Sequence, residues 1–200
     1  MALEPFYKED TIEAGCDEAG RGCLAGPVVA AAVILAADFS HPLLNDSKKM
    51  TEKARLIVRQ SVIENAVAWG VGMCSHEEID ELNILRASFL AMHRALDSLK
   101  IRPGFILVDG NRFVKYKSTP HVCVIKGDGR YASIAAASVI AKTERDSIME
   151  KLHEEYPVYG WNNNKGYPTE VHRKALCDYG ETPYHRKTFR MDFSQLSLPL

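Results

Sequence analysis

Ile12-Glu13-Ala14-Gly15-Cys16-Asp17-Glu18-Ala19-Gly20-Arg21-Gly22 begins as an apolar strand and ends in two adjacent carboxylates and a glycine-flanked arginine. Like charges side by side repel, and burying them is costly, so paired acids at a strand end are poor structural material. A divalent cation would neutralise them. Glycines on both sides of Arg21 leave the backbone free to approach a ligand closely. Metal, arginine and bare backbone together point to phosphate chemistry. The hexapeptide Asp17–Gly22 also suits a hairpin turn with exposed acids, and taken alone it does not separate the two readings. Gly15-x-x-x-x-Gly20 has the outer spacing of a phosphate-cradling loop but lacks the Lys-Ser/Thr that should follow. Its internal acids would also repel a phosphate. No Gly-x-Gly-x-x-Gly run is present, which removes the dinucleotide fingerprint.

Working outward, the first strand is expected from about Thr11 to Asp17. Gly26-Pro27 leads into the apolar run Val28 to Leu35, and the short connection predicts an antiparallel pair. Asn45-Asp46-Ser47 reads as a turn. Thr51 caps a helix with Ala54, Ile57, Val58, Ser61 and Val62 on one face. A third strand is expected over Val67 to Met73. Leu85, Phe89, Met92, Leu96 and Leu99 step by four and three, as an amphipathic helix requires. Phe105 to Val108 reads as a central strand buried on both faces and ends at Asp109-Gly110. Val122 to Ile125 is a similar run, ending in Lys126-Gly127-Asp128-Gly129. A long helix follows, with Ile134, Ala137, Ala141, Ile148 and Leu152 on one stripe. After Pro157 the chain turns aromatic, polar and basic, with a last helix between Pro168 and Tyr179. Strand-rich first and alternating later, this order predicts an α/β fold, a mixed sheet with helices on both faces.

Composition agrees with an ordinary globular protein: 200 residues, 46% hydrophobic and 26% charged. No apolar stretch is long enough to span a membrane. The start, Met-Ala-Leu-Glu-Pro, lacks the basic and apolar regions of a secretion signal. The five cysteines (Cys16, Cys23, Cys74, Cys123, Cys177) form no Cys-x-x-Cys pair, which argues against zinc or a disulfide framework and fits a reducing cytoplasm. A net charge of −1 does not announce a nucleic-acid binder. Lys165, Arg173, Lys174, Arg186, Lys187 and Arg190 nevertheless suggest a local basic face.

Three expected strands end in acids: Asp17 with Glu18, Asp109, and Asp128. Ligands of open α/β sheets gather at the carboxyl ends of strands. If these strands are neighbours, four carboxylates converge and require cations. Oxygen ligands favour Mg²⁺ or Mn²⁺. Two such ions about 4 Å apart suit in-line displacement at a phosphodiester, one activating water and one stabilising the leaving 3′-oxygen. Each acid has a plainer reading, since Asp109-Gly110 and Gly127-Asp128-Gly129 are also common turn spellings. The joint pattern is the more specific one. Lys48 is placed to contact phosphate or is simply solvated. Ser138 and Lys142 share a helix face, beside the site or flanking the core. Tyr167 and His172, in a basic segment, offer a ring to stack on a base or sugar, or else pack internally.

These residues resemble the ribonuclease HII family. The resemblance runs through Asp17-Glu18-Ala19-Gly20-Arg21-Gly22, Gly26-Pro27-Val28, Asn45-Asp46-Ser47-Lys48, Asp109-Gly110, Lys126-Gly127-Asp128, Ala136-Ala137-Ser138, Ala141-Lys142 and Gly166-Tyr167-Pro168-Thr169. It covers about residues 10 to 190 in order. It implies an RNase H-like fold over residues 1–156, a helical substrate-binding extension over 157–193 and a tail over 194–200. It implies Mg²⁺- or Mn²⁺-dependent cleavage of the RNA strand of RNA–DNA hybrids. It also implies incision 5′ of ribonucleotides embedded in duplex DNA, leaving 3′-hydroxyl and 5′-phosphate ends. Asp17, Glu18, Asp109 and Asp128 match the family's metal-binding acids. Gly20-Arg21-Gly22 matches the segment that reads the 2′-hydroxyl, Tyr167 the tyrosine that packs at the RNA–DNA junction, and Lys48 a phosphate contact. Ser138, Lys142 and His172 are further candidates for substrate binding.

The chain closes on Gln195-Leu196-Ser197-Leu198-Pro199-Leu200, similar to peptides by which bacterial replication proteins dock on the sliding clamp. Leu196, Leu198 and Leu200, two apart in an extended peptide, would point the same way into one groove, with Gln195 leading. The plainer reading is a tail packed on its own domain. Nothing in the sequence demands more than a monomer. A hybrid-binding protein without catalysis is the rival reading, and the presence of all four acids opposes it. A DNA-specific enzyme on the same fold is opposed by the bare Gly-Arg-Gly backbone, which suits a sugar hydroxyl.

Overall fold

The structure, a computed structural model, describes residues 3–189. Five strands among them form one mixed sheet in the order β3-β2-β1-β4-β5. The strands β1 (Glu13–Ala19), β2 (Val28–Ile34) and β3 (Ala68–Cys74) make an antiparallel meander. Beyond β1, β4 (Phe105–Asp109) pairs parallel to it and β5 (His121–Val124) parallel to β4. The carboxyl ends of β1, β4 and β5 therefore lie at one edge of the sheet.

Residues alternate between faces along each strand. Ala14, Cys16, Ala30, Ala32, Ile106 and Val108 point to one side. There α3 (Ile84–Asp97) covers them with Ala87, Ala91, Met92, Ala95 and Leu96. Ala31 and Val33 point to the other side, against α4 (Ala132–Glu155), with α1 (Glu52–Asn65) adding Val58 and Val62. The small side chains let helix and sheet approach closely. At Gly15 the approach excludes any side chain, since a Cβ there would stand 2.2 Å from the Ser133 carbonyl carbon. No helix among the described residues is long and apolar enough to cross a membrane.

Several expectations are corrected. The run Val122 to Ile125 is not a central strand: β5 is the sheet edge, and Ile125 is exposed. Asp128 is not on a strand end but in a 3-10 turn, Gly127–Gly129, leading into α4. The α4 helix is not buried along one stripe; its first ten residues are buried all round, because sheet, N-terminal segment and α1 surround them. Ile57, expected on the buried face of α1, is exposed. β1 begins at Glu13 and continues past the acids to Ala19. The short α2 (His76–Leu82) was not anticipated, although Ser75-x-x-Glu78 spells the capping box that starts it, with both reciprocal hydrogen bonds formed.

The last part of the described chain contains α5 (Trp161–Asn164) and α6 (Glu170–Tyr179), the latter capped by Thr169. Trp161, Tyr159 and Ala175 pack with Ala25, Met149 and Leu152, which fastens this segment to the loop between β1 and β2 and to α4. The expected basic face is only partly at the surface. Arg186 and Lys165 are buried, the latter with its ammonium on Glu150 Oε1 at 2.6 Å. Residues 190–200, including Gln195, Leu196, Leu198 and Leu200, lie outside the described residues.

Candidate active site

The register Cys16↔Val108 makes Asp17 and Asp109 the next pair along parallel neighbours. Both take the parity of Gly15 and Leu107, so both face the α4 side of the sheet. Asp17 is only 4% exposed. Its Oδ1 accepts the Glu18 backbone N–H at 2.7 Å. Burial holds its carboxyl well above the usual range, Glu18 and Asp109 push it further, and the Ser138 hydroxyl partly opposes them. Glu18 is raised by burial too, with Arg21 pulling the other way through a 3.1 Å bond from Nη1 to Oε1. Asp109 Oδ1 accepts the Gly127 N–H at 2.7 Å, which ties the end of β4 to the turn carrying Asp128. Burial, then Asp109 and Asp46, raise the Asp128 carboxyl. Four acids thus stand in one neighbourhood, and burial holds Asp17, Glu18 and Asp128 there against the preference of a carboxylate for water.

A cavity of about 330 Å³ opens over Asp17, Glu18 and Asp109. Gly20, Arg21 and Gly22 form one wall. Lys48, Ser138, Lys142 and Tyr167 complete the lining. Burial works against the Lys48 charge, but Asp17, Asp128, Asp46 and Asp109 together hold its pKa above the usual value. Lys142 donates from Nζ to Asp146 Oδ1 at 2.6 Å, one turn along α4. Tyr167 keeps a partly exposed ring at the cavity, and burial pushes its hydroxyl pKa to about 12, so it is a neutral phenol at every working pH. Asp128 borders this cluster without lining the cavity.

His172 is placed differently from expectation. It is 0% exposed and lies behind Tyr167, not in the cavity. Its Nδ1 is 3.0 Å from the Tyr167 carbonyl oxygen, which can only accept, so Nδ1 carries the proton. Its Nε2 then accepts from Trp161 Nε1 at 3.1 Å and from His185 Nε2 at 3.0 Å. His185 Nδ1 accepts in turn from the Thr182 N–H at 2.8 Å. The chain is satisfied only with both rings neutral. Burial accordingly lowers both, His185 to about 4.

Three participants escaped the sequence. Ser47 lines the cavity and its hydroxyl meets that of Ser138 at 2.7 Å, joining the Asn45–Lys48 loop to α4. Arg145 and Arg186 are almost wholly buried beneath the Gly20–Gly22 wall. Gly20 has φ +96, and a Cβ on it would lie 2.0 Å from Arg145 Nε, so only glycine fits. Nothing in the local spelling marks an arginine as buried. Ser47 stands in the sequence as part of a turn and of the Asn45-Asp46-Ser47-Lys48 stretch, with no role of its own.

The donor set is oxygen-only: carboxylates of Asp17, Glu18 and Asp109 on one cavity, with Asp128 adjacent. That chemistry fits a hard divalent ion such as Mg²⁺ or Mn²⁺, and mutual repulsion among the acids is what such an ion would relieve. Among the described residues, no three His, Cys, Asp or Glu side chains are already drawn into a metal cage. The acids lean instead on Arg21, Lys48 and backbone N–H groups.

Comparison with known proteins bears on this geometry. The family model of ribonuclease HII matches residues 14–196. The ribonuclease HII of Bacteroides thetaiotaomicron is 64% identical over 189 residues, 94% of each chain. The ribonuclease H2 of Pyrococcus horikoshii OT3 superposes with a TM-score of 0.72 at 30% identity, covering 89% of this chain and 93% of that one. The ribonuclease HII of Archaeoglobus fulgidus, solved in complex with PCNA, gives 0.74 at 25% identity, with 90% and 96% covered.

Proposed function

This chain belongs to the ribonuclease HII family, and from that premise we propose that it cuts the RNA strand of RNA–DNA hybrids and incises 5′ of ribonucleotides embedded in duplex DNA. The observation that carries the reading is the convergence of Asp17, Glu18 and Asp109 on one cavity that Gly20, Arg21 and Gly22 also line. Acids that bind a cation and a bare backbone that fits a sugar hydroxyl then face the same nucleotide.

Asp17, Glu18, Asp109 and Asp128 would hold Mg²⁺ or Mn²⁺. When bound, two such ions supply an activated water and charge stabilisation at the leaving 3′-oxygen, which yields 3′-hydroxyl and 5′-phosphate ends. The protein's own groups place the substrate. Lys48 neutralises a backbone phosphate at the mouth of the cavity. Ser138 and Lys142 flank the acids along α4. The Tyr167 ring packs on the deoxyribose next to the ribonucleotide, its carbonyl fixed from behind by His172. His172 is therefore a support for substrate binding and makes no contact itself. Residues 157–193 act as the substrate-binding extension.

The tail Gln195-Leu196-Ser197-Leu198-Pro199-Leu200, outside the described residues, we propose as a docking peptide for a sliding clamp; the archaeal relative solved with PCNA lends it support. Deleting those six residues should abolish clamp binding without changing cleavage. Equal or absent clamp binding in both forms ends that idea.

The main reading is tested with three matched duplexes: all DNA, DNA with one ribonucleotide, and an RNA–DNA hybrid. Each is incubated with Mg²⁺, Mn²⁺ or chelator. Metal-dependent cutting of the second and third, with the single ribonucleotide cut on its 5′ side, is expected. Tight binding without cutting would favour a catalytically silent hybrid binder. Cutting of all-DNA duplex would overturn the substrate assignment.

A further inference from the structure

Two arginines lie buried where, among the described residues, no carboxylate meets them. Among the described residues neither Arg145 nor Arg186 takes part in an ion pair within 4.0 Å, a costly arrangement unless every N–H finds an acceptor. The acceptors are backbone carbonyls. Arg145 spans Pro27 O at 2.9 Å, Lys165 O at 2.7 Å and Ala25 O at 3.0 Å. Arg186 reaches Gly26 O at 3.0 Å and Pro27 O at 3.2 Å. It also reaches Gly20 O at 2.7 Å and Arg21 O at 3.0 Å. Its own main chain is anchored to the same loop, through Arg186 N–H to Leu24 O at 2.8 Å and Gly26 N–H to Tyr184 O at 2.9 Å.

The last two carbonyls matter most. A trans peptide is planar, with C=O and the following N–H on opposite sides. Drawing Gly20 O and Arg21 O inward onto Arg186 turns the N–H groups of Arg21 and Gly22 outward. Outward is the cavity, which Gly20, Arg21 and Gly22 line. Among the described residues neither N–H has a backbone acceptor. Two adjacent donors are thus left without a backbone acceptor on the cavity side; the Cys23 N–H adds a long 3.4 Å contact to Gly20 O, and the guanidinium's fixed fork holds both carbonyls at 2.7 and 3.0 Å.

We infer that Arg186 is a positioning residue for substrate selection: it locks the Gly20–Arg21 and Arg21–Gly22 peptide planes so that two N–H groups face the sugar hydroxyl of a bound ribonucleotide. This rests on the proposed function, which supplies the hydroxyl. It gives the C-terminal segment a part in reading the sugar that is separate from Tyr167. It also explains why a cation sits buried without an anion: only donors, in a rigid fork, can hold several carbonyls at once.

The test is Arg186→Lys, which keeps the charge and loses the fork. It is set beside Val62→Ala, a core truncation under α4 that lowers stability without touching the wall. Binding is measured to matched duplexes with and without one ribonucleotide, in an Asp109→Asn background that prevents cutting. Arg186→Lys is expected to reduce the ribonucleotide preference about tenfold, chiefly by weakening the ribonucleotide complex, while Val62→Ala leaves the preference unchanged. An equal preference in Arg186→Lys and wild type, or equal weakening of both complexes, would overturn the inference. Amide NMR of the ligand-free protein gives a second readout independent of substrate. Arg186→Lys should shift the Arg21 and Gly22 amides well beyond any change in Val62→Ala; their staying in place would also overturn it. Should Arg186→Lys not fold, wild type decides: the Arg21 and Gly22 amides must move with the ribonucleotide duplex and not with all-DNA duplex. A wild-type protein with no ribonucleotide preference at all, yet with the Arg21 and Gly22 amides displaced in Arg186→Lys, would refute the function and leave the positioning intact.

Discussion

The carboxylate edge of the sheet and the C-terminal segment handle buried polarity in opposite ways. At the edge, Asp17, Glu18, Asp109 and Asp128 crowd like charges together, and burial with mutual repulsion raises Asp17, Glu18 and Asp128. In the C-terminal segment and the stretch of α4 beneath it, Trp161, His172, His185, Arg186 and, from α4, Arg145 are as deeply buried, but their donors meet acceptors within the chain. One region is left unsatisfied and open to a cavity, the other satisfied and closed. The lesson is that frustration marks where a ligand is needed, whereas satisfaction marks scaffolding, even when the residue types look equally catalytic.

The largest way to break this contrast is at the acids. Asp17→Asn or Asp109→Asn should lower the cleavage rate on the order of a thousandfold or more, read in single-turnover assays. Neutralising Asp17 removes a group whose folded-state pKa is raised, so its ionised form destabilises the fold at neutral pH. Asp17→Asn should therefore unfold at a higher temperature than wild type while losing activity. A variant both active and less stable would erase the distinction between the regions.

A substitution in the closed region should do the reverse. His172→Ala strands the Trp161 N–H, the Tyr167 carbonyl and the His185 N–H, and opens a cavity. It should cost about 2–4 kcal/mol in denaturant unfolding while leaving acid-dependent chemistry measurable below the transition.

Acid sharpens the comparison further. His172 and His185 are depressed in the folded state, His185 to about 4. The unfolded chain therefore takes up protons first as pH falls. The stability they contribute is complete above about pH 6.5 and is lost as pH drops toward 4, by roughly 3 kcal/mol for a group shifted this far. Titration of the unfolding midpoint over that range should show the loss, and His185→Gln should flatten it.

The smallest effect falls between the regions. If Tyr167 stacks at the junction as proposed, Tyr167→Ala should reduce cleavage at a single embedded ribonucleotide about tenfold more than cleavage of a long hybrid. Equal losses on both substrates would remove its separate role.

How legible each region was follows from the same contrast. The strand ends announced themselves because acids after apolar runs are conspicuous: the structure brings Asp17, Glu18 and Asp109 to one cavity, with Asp128 beside them although its strand proved to be a 3-10 turn. The central helix α3 was readable from its spacing. α4 was misread as one-sided because small alanines carry no directional signal when a helix is surrounded. β5 was misread because an apolar run looks alike at the edge and the centre of a sheet. His172, Arg186 and Lys165 were placed at the surface or on the substrate because polarity usually means exposure, and the long-range acceptors that bury them are up to 166 residues away in sequence.

The most direct measurement is thermal unfolding of wild type and Asp17→Asn as Mn²⁺ is added. If the acids are frustrated because they await a cation, the wild-type midpoint climbs with Mn²⁺ concentration and the Asp17→Asn midpoint, higher at the start, barely moves. Parallel rises in both proteins, or none in wild type, would contradict the claim that Asp17 belongs to a metal site.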